Sequence, residues 1–120
     1  MRFGMVMPLY VPDRQRLAYA LQSLPSLART SIAGLDDPPA LLFVVKLHPR
    51  YDVHKIIGQQ AFPGFETETI AQPEDAKSVD GPLLFAFGHL LRQHPDLTHV
   101  MMLAGDWLYN RFWLLRLRDI

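Results

Sequence analysis

Four short apolar or alternating runs are interleaved with four stretches of helical spacing, and this alternation limits the fold more than any other property of the chain. Arg2 to Tyr10, Leu41 to Leu47, Glu66 to Gln72 and Thr98 to Ala104 read as strands. Arg14 to Ile32, Tyr51 to Gln60, Pro82 to His94 and Phe112 to Ile120 read as helices. Strands that alternate with helices form βαβ units, with a parallel sheet and right-handed crossovers. Each intervening stretch reaches the roughly dozen residues that a parallel crossover needs. The expected fold is therefore α/β and three-layered: a mostly parallel sheet of about four strands, helices on both faces, Rossmann-like.

Local chemistry sharpens this outline. Pro8 has no N–H to give, so the first ladder should stop near it. Asp13 is placed to cap the next helix, whose Leu17, Leu21, Leu24 and Ala28 share one face. Pro25 lies inside that pattern and should either kink the helix or end it and start a second one. Gly34 is a plausible terminal stop. The run Leu41 to Leu47 is apolar and β-branched at its centre, as suits a central parallel strand. Glu66 to Gln72 alternates and carries charge, which suits an edge. Gln72 to Gly81 is long and polar, a candidate binding loop. In the third helix Leu83, Phe87, Leu90 and Leu91 should face inward. The last strand is read as buried and leads directly to Gly105, Asp106, Trp107 and Tyr109.

A chain of 120 residues is one domain at most. Lys plus Arg and Asp plus Glu number 12 each, which gives no basic surface for nucleic acid. With no cysteine, disulfides, thiolate nucleophiles and cysteine-ligated zinc are excluded. No apolar run approaches the ~18 residues of a membrane span, and the amino terminus lacks the pattern of a secretory signal. The expected location is cytoplasmic. Phosphate-loop, dinucleotide and nucleophile-elbow motifs are all missing. His48 with His54, and His89 with His94, do not have the one-turn spacing of a helical zinc motif.

Ligands of open parallel sheets bind beyond the carboxyl ends of the strands. Tyr10, Lys46 and Asp106 are all expected there. Two readings of Asp106 stand side by side: a ligand-binding carboxylate, or a cap for the helix that follows. Asp80, before Gly81 and Pro82, carries the same pair of readings.

The run Ala104-Gly105-Asp106-Trp107-Leu108-Tyr109-Asn110-Arg111-Phe112-Trp113-Leu114 resembles the Asp-x-Asp strand end of family 2-like glycosyltransferases with the GT-A fold. Met7-Pro8-Leu9-Tyr10 is similar to the Pro-x-Tyr/Phe at the end of their first strand, and Ala20-Leu21-Gln22-Ser23-Leu24 to their Ala-Leu-x-Ser-Leu helix. The resemblance spans essentially the whole chain as the nucleotide-binding half of such an enzyme. It departs in two places. Ala104 stands where the first Asp of the motif belongs, and Lys46-Leu47-His48-Pro49 replaces acidic residues after the second strand.

The resemblance implies strand order 3-2-1-4, so that Tyr10 and Asp106 face one crevice. It implies a nucleotide site built from Pro8, Tyr10, Lys46, His48, Asp80 and Asp106. Asp106 would serve as the one motif ligand for magnesium or manganese, held more weakly than by two carboxylates. The implied function is binding of a nucleoside diphosphate sugar and transfer of the glycosyl group to an acceptor hydroxyl. Its partners are a nucleotide-sugar donor and an acceptor of unknown kind. In that family the acceptor site and general base lie in a following half, so residues 1–120 are expected to be a single domain truncated at its C-terminus. The alternative is a non-catalytic nucleotide-binding or interaction module, completed by homo-oligomerisation.

Overall fold

The computed structural model of the chain describes the backbone of residues 1–72 and 80–120, and the side chains of 1–72 and 83–120. Eight elements follow one another: β1 (Phe3–Tyr10), α1 (Arg14–Ala28), β2 (Ala40–Lys46), α2 (Val53–Gly58), β3 (Glu66–Ala71), α3 (Asp80–Gln93), β4 (His99–Met102) and α4 (Trp113–Arg118). The four strands form one parallel sheet in the order β3-β2-β1-β4. Of the expected binding loop between Gln72 and Gly81, residues 73–79 lie outside the described residues. No helix among the described residues is long and apolar enough to cross a membrane.

The sheet divides the core in two. Met5, Met7 and Leu9 of β1, with Leu41, Phe43 and Val45 of β2, point to one face. There they meet Ala20, Leu24 and Leu27 of α1, Val53, Ile56 and Ile57 of α2, and Leu114 of α4. Val6, Ala40, Leu42 and Val44 point to the other face, where α3 covers them with Ala86 and Leu90. This two-sided burial is why β1 and β2 read as continuous apolar runs. Side chains of i and i+2 share a face, so each strand feeds both cores.

Pro8 does not end β1. The strand runs on to Tyr10, with Pro8 opposite Val44 and Tyr10 opposite Lys46 in β2. The Val6 carbonyl accepts from Leu103 of the β4 side at 2.8 Å. Alternation then aims the Pro8 backbone at the same side, one step beyond the last β1–β4 pair, Val6 with Met102. The missing N–H falls where no partner strand remains, and that is why a proline is tolerated in a central strand.

Four further expectations are corrected. Helix α1 passes through Pro25 and ends at Ala28, without a second helix. Its inward face is Leu17, Ala20, Leu24 and Leu27, while Leu21, at the edge of that stripe, is 48% exposed. In α3, Leu83, Phe87 and Leu90 face the core as expected, joined by Ala86, but Leu91 is exposed. Strand β4 is not buried: it pairs only with β1, and Val100 and Met102 are each 45% exposed. These two side chains share the α3 face, but α3 packs over β1 and β2.

Candidate functional site

The reversal of strand order between β1 and β4 opens a cleft at their carboxyl ends, of about 240 Å³. Pro8 and Tyr10 of β1, Arg16 and Tyr19 of α1, and Ala104 and Asp106 after β4 line it. The volume is below the ~300–1,000 Å³ of a drug-sized pocket, so a larger ligand would extend past Tyr10 toward β2. There the Lys46 ammonium lies 4.8 Å from the centre of the Tyr10 ring, and the His48 ring meets Tyr10 edge-on at 6.0 Å. Tyr10 thus separates the cleft from a second hollow lined by Leu47, His48, Pro49 and Tyr51. The Arg50 N–H donates to His48 Nδ1 at 3.2 Å, which leaves Nε2–H as the outward donor.

Asp106 does not cap a helix. It sits in a turn with Gly105, the chain then runs without helix to Asn110, and α4 begins only at Trp113 with Phe112 at its cap position. The segment is held by distant partners instead. The Tyr109 N–H donates to Ser26 Oγ at 3.0 Å, and the Ser31 N–H donates to the Arg111 carbonyl at 2.7 Å. Trp113 Nε1–H donates to Thr30 Oγ1 at 2.8 Å. A Cβ at Gly105 would come within 2.6 Å of the Leu9 side chain, so glycine lets this turn lie close against β1. The Asp106 carboxylate is exposed and has no ion pair or hydrogen bond among the described residues.

Ala104 offers little to a ligand. Its carbonyl accepts from the Tyr109 hydroxyl at 2.7 Å and from the Trp107 N–H at 3.4 Å. Burial pushes the Tyr109 phenol above its ordinary pKa, and the Asp106 carboxylate adds to the shift. Asp106 is the one carboxylate lining the cleft, and among the described residues no three His, Asp or Glu side chains gather as a metal site. Among the described residues, Asp106 and the engaged Ala104 carbonyl offer fewer oxygen donors than a hard divalent cation takes. The four described histidines besides His48 lie elsewhere; His89 contacts Glu68 at 2.8 Å and His94 lies 3.6 Å from Glu66, tying α3 to β3.

The expected site residues therefore separate into groups. Pro8, Tyr10 and Asp106 line one cleft; Lys46 and His48 join it across Tyr10; Asp80 opens α3, with its side chain outside the described residues. Arg16 and Tyr19 were not expected. Asp13 caps α1 through the Arg16 N–H at 2.8 Å, which fixes the helix phase and turns Arg16 toward the cleft. That cap is visible in the sequence and was the signal that could have found Arg16.

No family model matches the chain, and no curated protein matches it. Among solved structures, S. aureus TarS matches with a TM-score of 0.69 at 17% sequence identity. The match covers 99% of this chain and 19% of the TarS chain, so the chain spans about a fifth of that protein's length. At this identity the likeness is one of fold. What the two share is an α/β, Rossmann-like parallel sheet in the order 3-2-1-4 with interleaved helices.

Proposed function

We propose that the chain is the nucleotide-sugar-binding half of a GT-A-like glycosyltransferase. The observation that carries this reading is the convergence of Tyr10 and Asp106, unpartnered among the described residues, in one cleft at the strand-order reversal, where parallel sheets bind ligands. Tyr10 offers a ring face toward a base or sugar. A carboxylate only accepts hydrogen bonds, so Asp106 suits the hydroxyls of a ribose or a donor sugar. Lys46 brings positive charge beside Tyr10. The reaction in this reading is transfer of the glycosyl group to an acceptor hydroxyl, with the nucleoside diphosphate as leaving group. Magnesium or manganese enters it only where diphosphate oxygens and water supply the donors that Asp106 lacks.

The engaged Ala104 carbonyl and the missing motif carboxylate favour a second reading, a module that binds the nucleotide without transferring sugar. Calorimetry and thermal shift with the four common nucleoside diphosphates and their glucose or N-acetylglucosamine conjugates test the common ground. Saturable binding of at least one compound is expected, weakened by Asp106→Asn. No heat and no thermal shift across the panel would overturn both readings. Binding without turnover toward water or added glycan would separate the second from the first.

A further inference from the structure

We propose that Arg16 is the cation that meets the diphosphate in this cleft, in place of a chelated divalent metal. The inference rests on the nucleotide-sugar reading of the cleft and names its charge chemistry. A diphosphate leaving group carries more than one negative charge, and its departure is eased by charge placed where that negativity develops. The resemblance implies a metal held by two carboxylates, and among the described residues the cleft has one. Position 104 has no acidic side chain, and its carbonyl already accepts from Tyr109 and Trp107. Positive charge from the chain itself would meet the same need.

Arg16 meets the requirement on three counts. It lines the cleft opposite the turn that carries Asp106. It is anchored through its own backbone, whose N–H donates to Asp13 Oδ1 at 2.8 Å, so the side chain is free of any capping duty. Its guanidinium has no ion pair and no hydrogen bond among the described residues, even though Asp106 lines the same cleft. By contrast Arg2 and Arg118 are engaged with carboxylates or carbonyls. An arginine fork binds phosphate through two parallel N–H bonds, which positions the group as well as neutralising it. Lys46, across Tyr10, adds a second positive charge beside the cleft. The cleft then divides its work: cations for the phosphates, Asp106 for hydroxyls.

The test is calorimetry with the four common nucleoside diphosphates and the matching free nucleosides, each in excess chelator and in millimolar magnesium. The expected result is diphosphate binding that persists in chelator and falls about 10–100-fold in Arg16→Ala, the loss of a bidentate charged contact. Nucleoside binding stays unchanged in that variant, a split that a merely structural role would not produce. Arg14→Ala, on the same helical turn but not lining the cleft, leaves both unchanged. If chelator abolishes binding, magnesium restores it, and Arg16→Ala matches the parent, Arg16 is not the phosphate cation, while the nucleotide reading survives. If no diphosphate binds under either condition, the nucleotide reading falls and takes this inference with it.

Discussion

The Tyr109 hydroxyl donates to the Ala104 carbonyl at 2.7 Å and so closes a loop around the turn that presents Asp106. Removing that hydroxyl leaves the carbonyl with only the longer Trp107 bond. Tyr109→Phe should therefore cost about 1 kcal/mol. It should also change the alkaline limb of stability. The folded state holds the Tyr109 proton to higher pH than the unfolded chain does, because burial opposes ionisation. Its contribution is complete below the unfolded phenol value of ~10, and is lost as pH rises from there toward the folded value. Urea unfolding of parent and variant at pH 8 and pH 10.5 checks this. Parallel losses in the two proteins would show that this phenol is not the one held back.

Asp106→Asn should leave the melting temperature nearly unchanged, within the ~0.5 kcal/mol of ordinary surface substitutions. The carboxylate caps nothing and is exposed. Affinity for a nucleoside diphosphate sugar should fall several-fold, with affinity for inorganic pyrophosphate unaffected. A destabilised variant, or one that loses both ligands equally, would contradict the division between hydroxyl and phosphate contacts.

Ala104→Asp places a second carboxylate in the lining of the cleft, beside Asp106. Manganese should then raise the melting temperature and nucleotide affinity of the variant and do neither in the parent. Equal responses in the two proteins would mean that position 104 does not look onto the phosphates.

Leu24→Ala should cost about 2–5 kcal/mol, because Leu24 is buried in the three-helix core. Leu21→Ala, one helical turn earlier, should cost less than about 0.5 kcal/mol, because its side chain is 48% exposed. Chemical denaturation of the two variants gives the comparison directly. Similar losses would rotate α1 and with it Arg16.

Arg2 reaches Glu66 at 3.0 Å, Asp96 at 2.7 Å and the Pro38 carbonyl at 2.9 Å, at the amino ends of the strands. Arg2→Ala should cost about 1.5–3 kcal/mol, the range for hydrogen bonds to charged groups. Ligand affinity should not change, since the cleft lies at the opposite end of the sheet. A matching loss of affinity would show that the two ends are coupled.

The strand–helix alternation made the layered parallel sheet legible, and the two-sided apolar character of β1 and β2 marked them as central. Leu21 lies at the margin of the apolar stripe of α1, and periodicity cannot say how far round the helix the sheet reaches. In the run Val100 to Leu103, Leu103 and Met101 do pack on the core, but Val100 and Met102 are exposed because their face lies beyond α3, and apolarity alone does not report which face a helix covers. Asp106 read equally well as a cap because the bonds that hold the non-helical stretch 107–111 come from Ser26 and Ser31, far away in sequence. The strand order came from resemblance alone, and it is what turned separate residues into a cleft. Arg16 was overlooked because nothing local distinguishes it from Arg14 until the Asp13 cap is used to set the phase of the helix.

The short edge strand β4 has a dynamic consequence. Amides of β1 and β2 are paired on both sides and shut beneath helices, so their exchange with deuterium should require opening of the whole domain. Strand β4 pairs on one side only, and the turn after it hangs on a few long-range bonds. The cleft therefore has a hard wall at Tyr10 and a soft wall at Asp106. A ligand that touches both must order the soft one, and part of its binding energy goes into that ordering. Its signature would be slowed exchange at the Leu103 amide, which bonds to the Val6 carbonyl at 2.8 Å, with almost no change at the amides of β2.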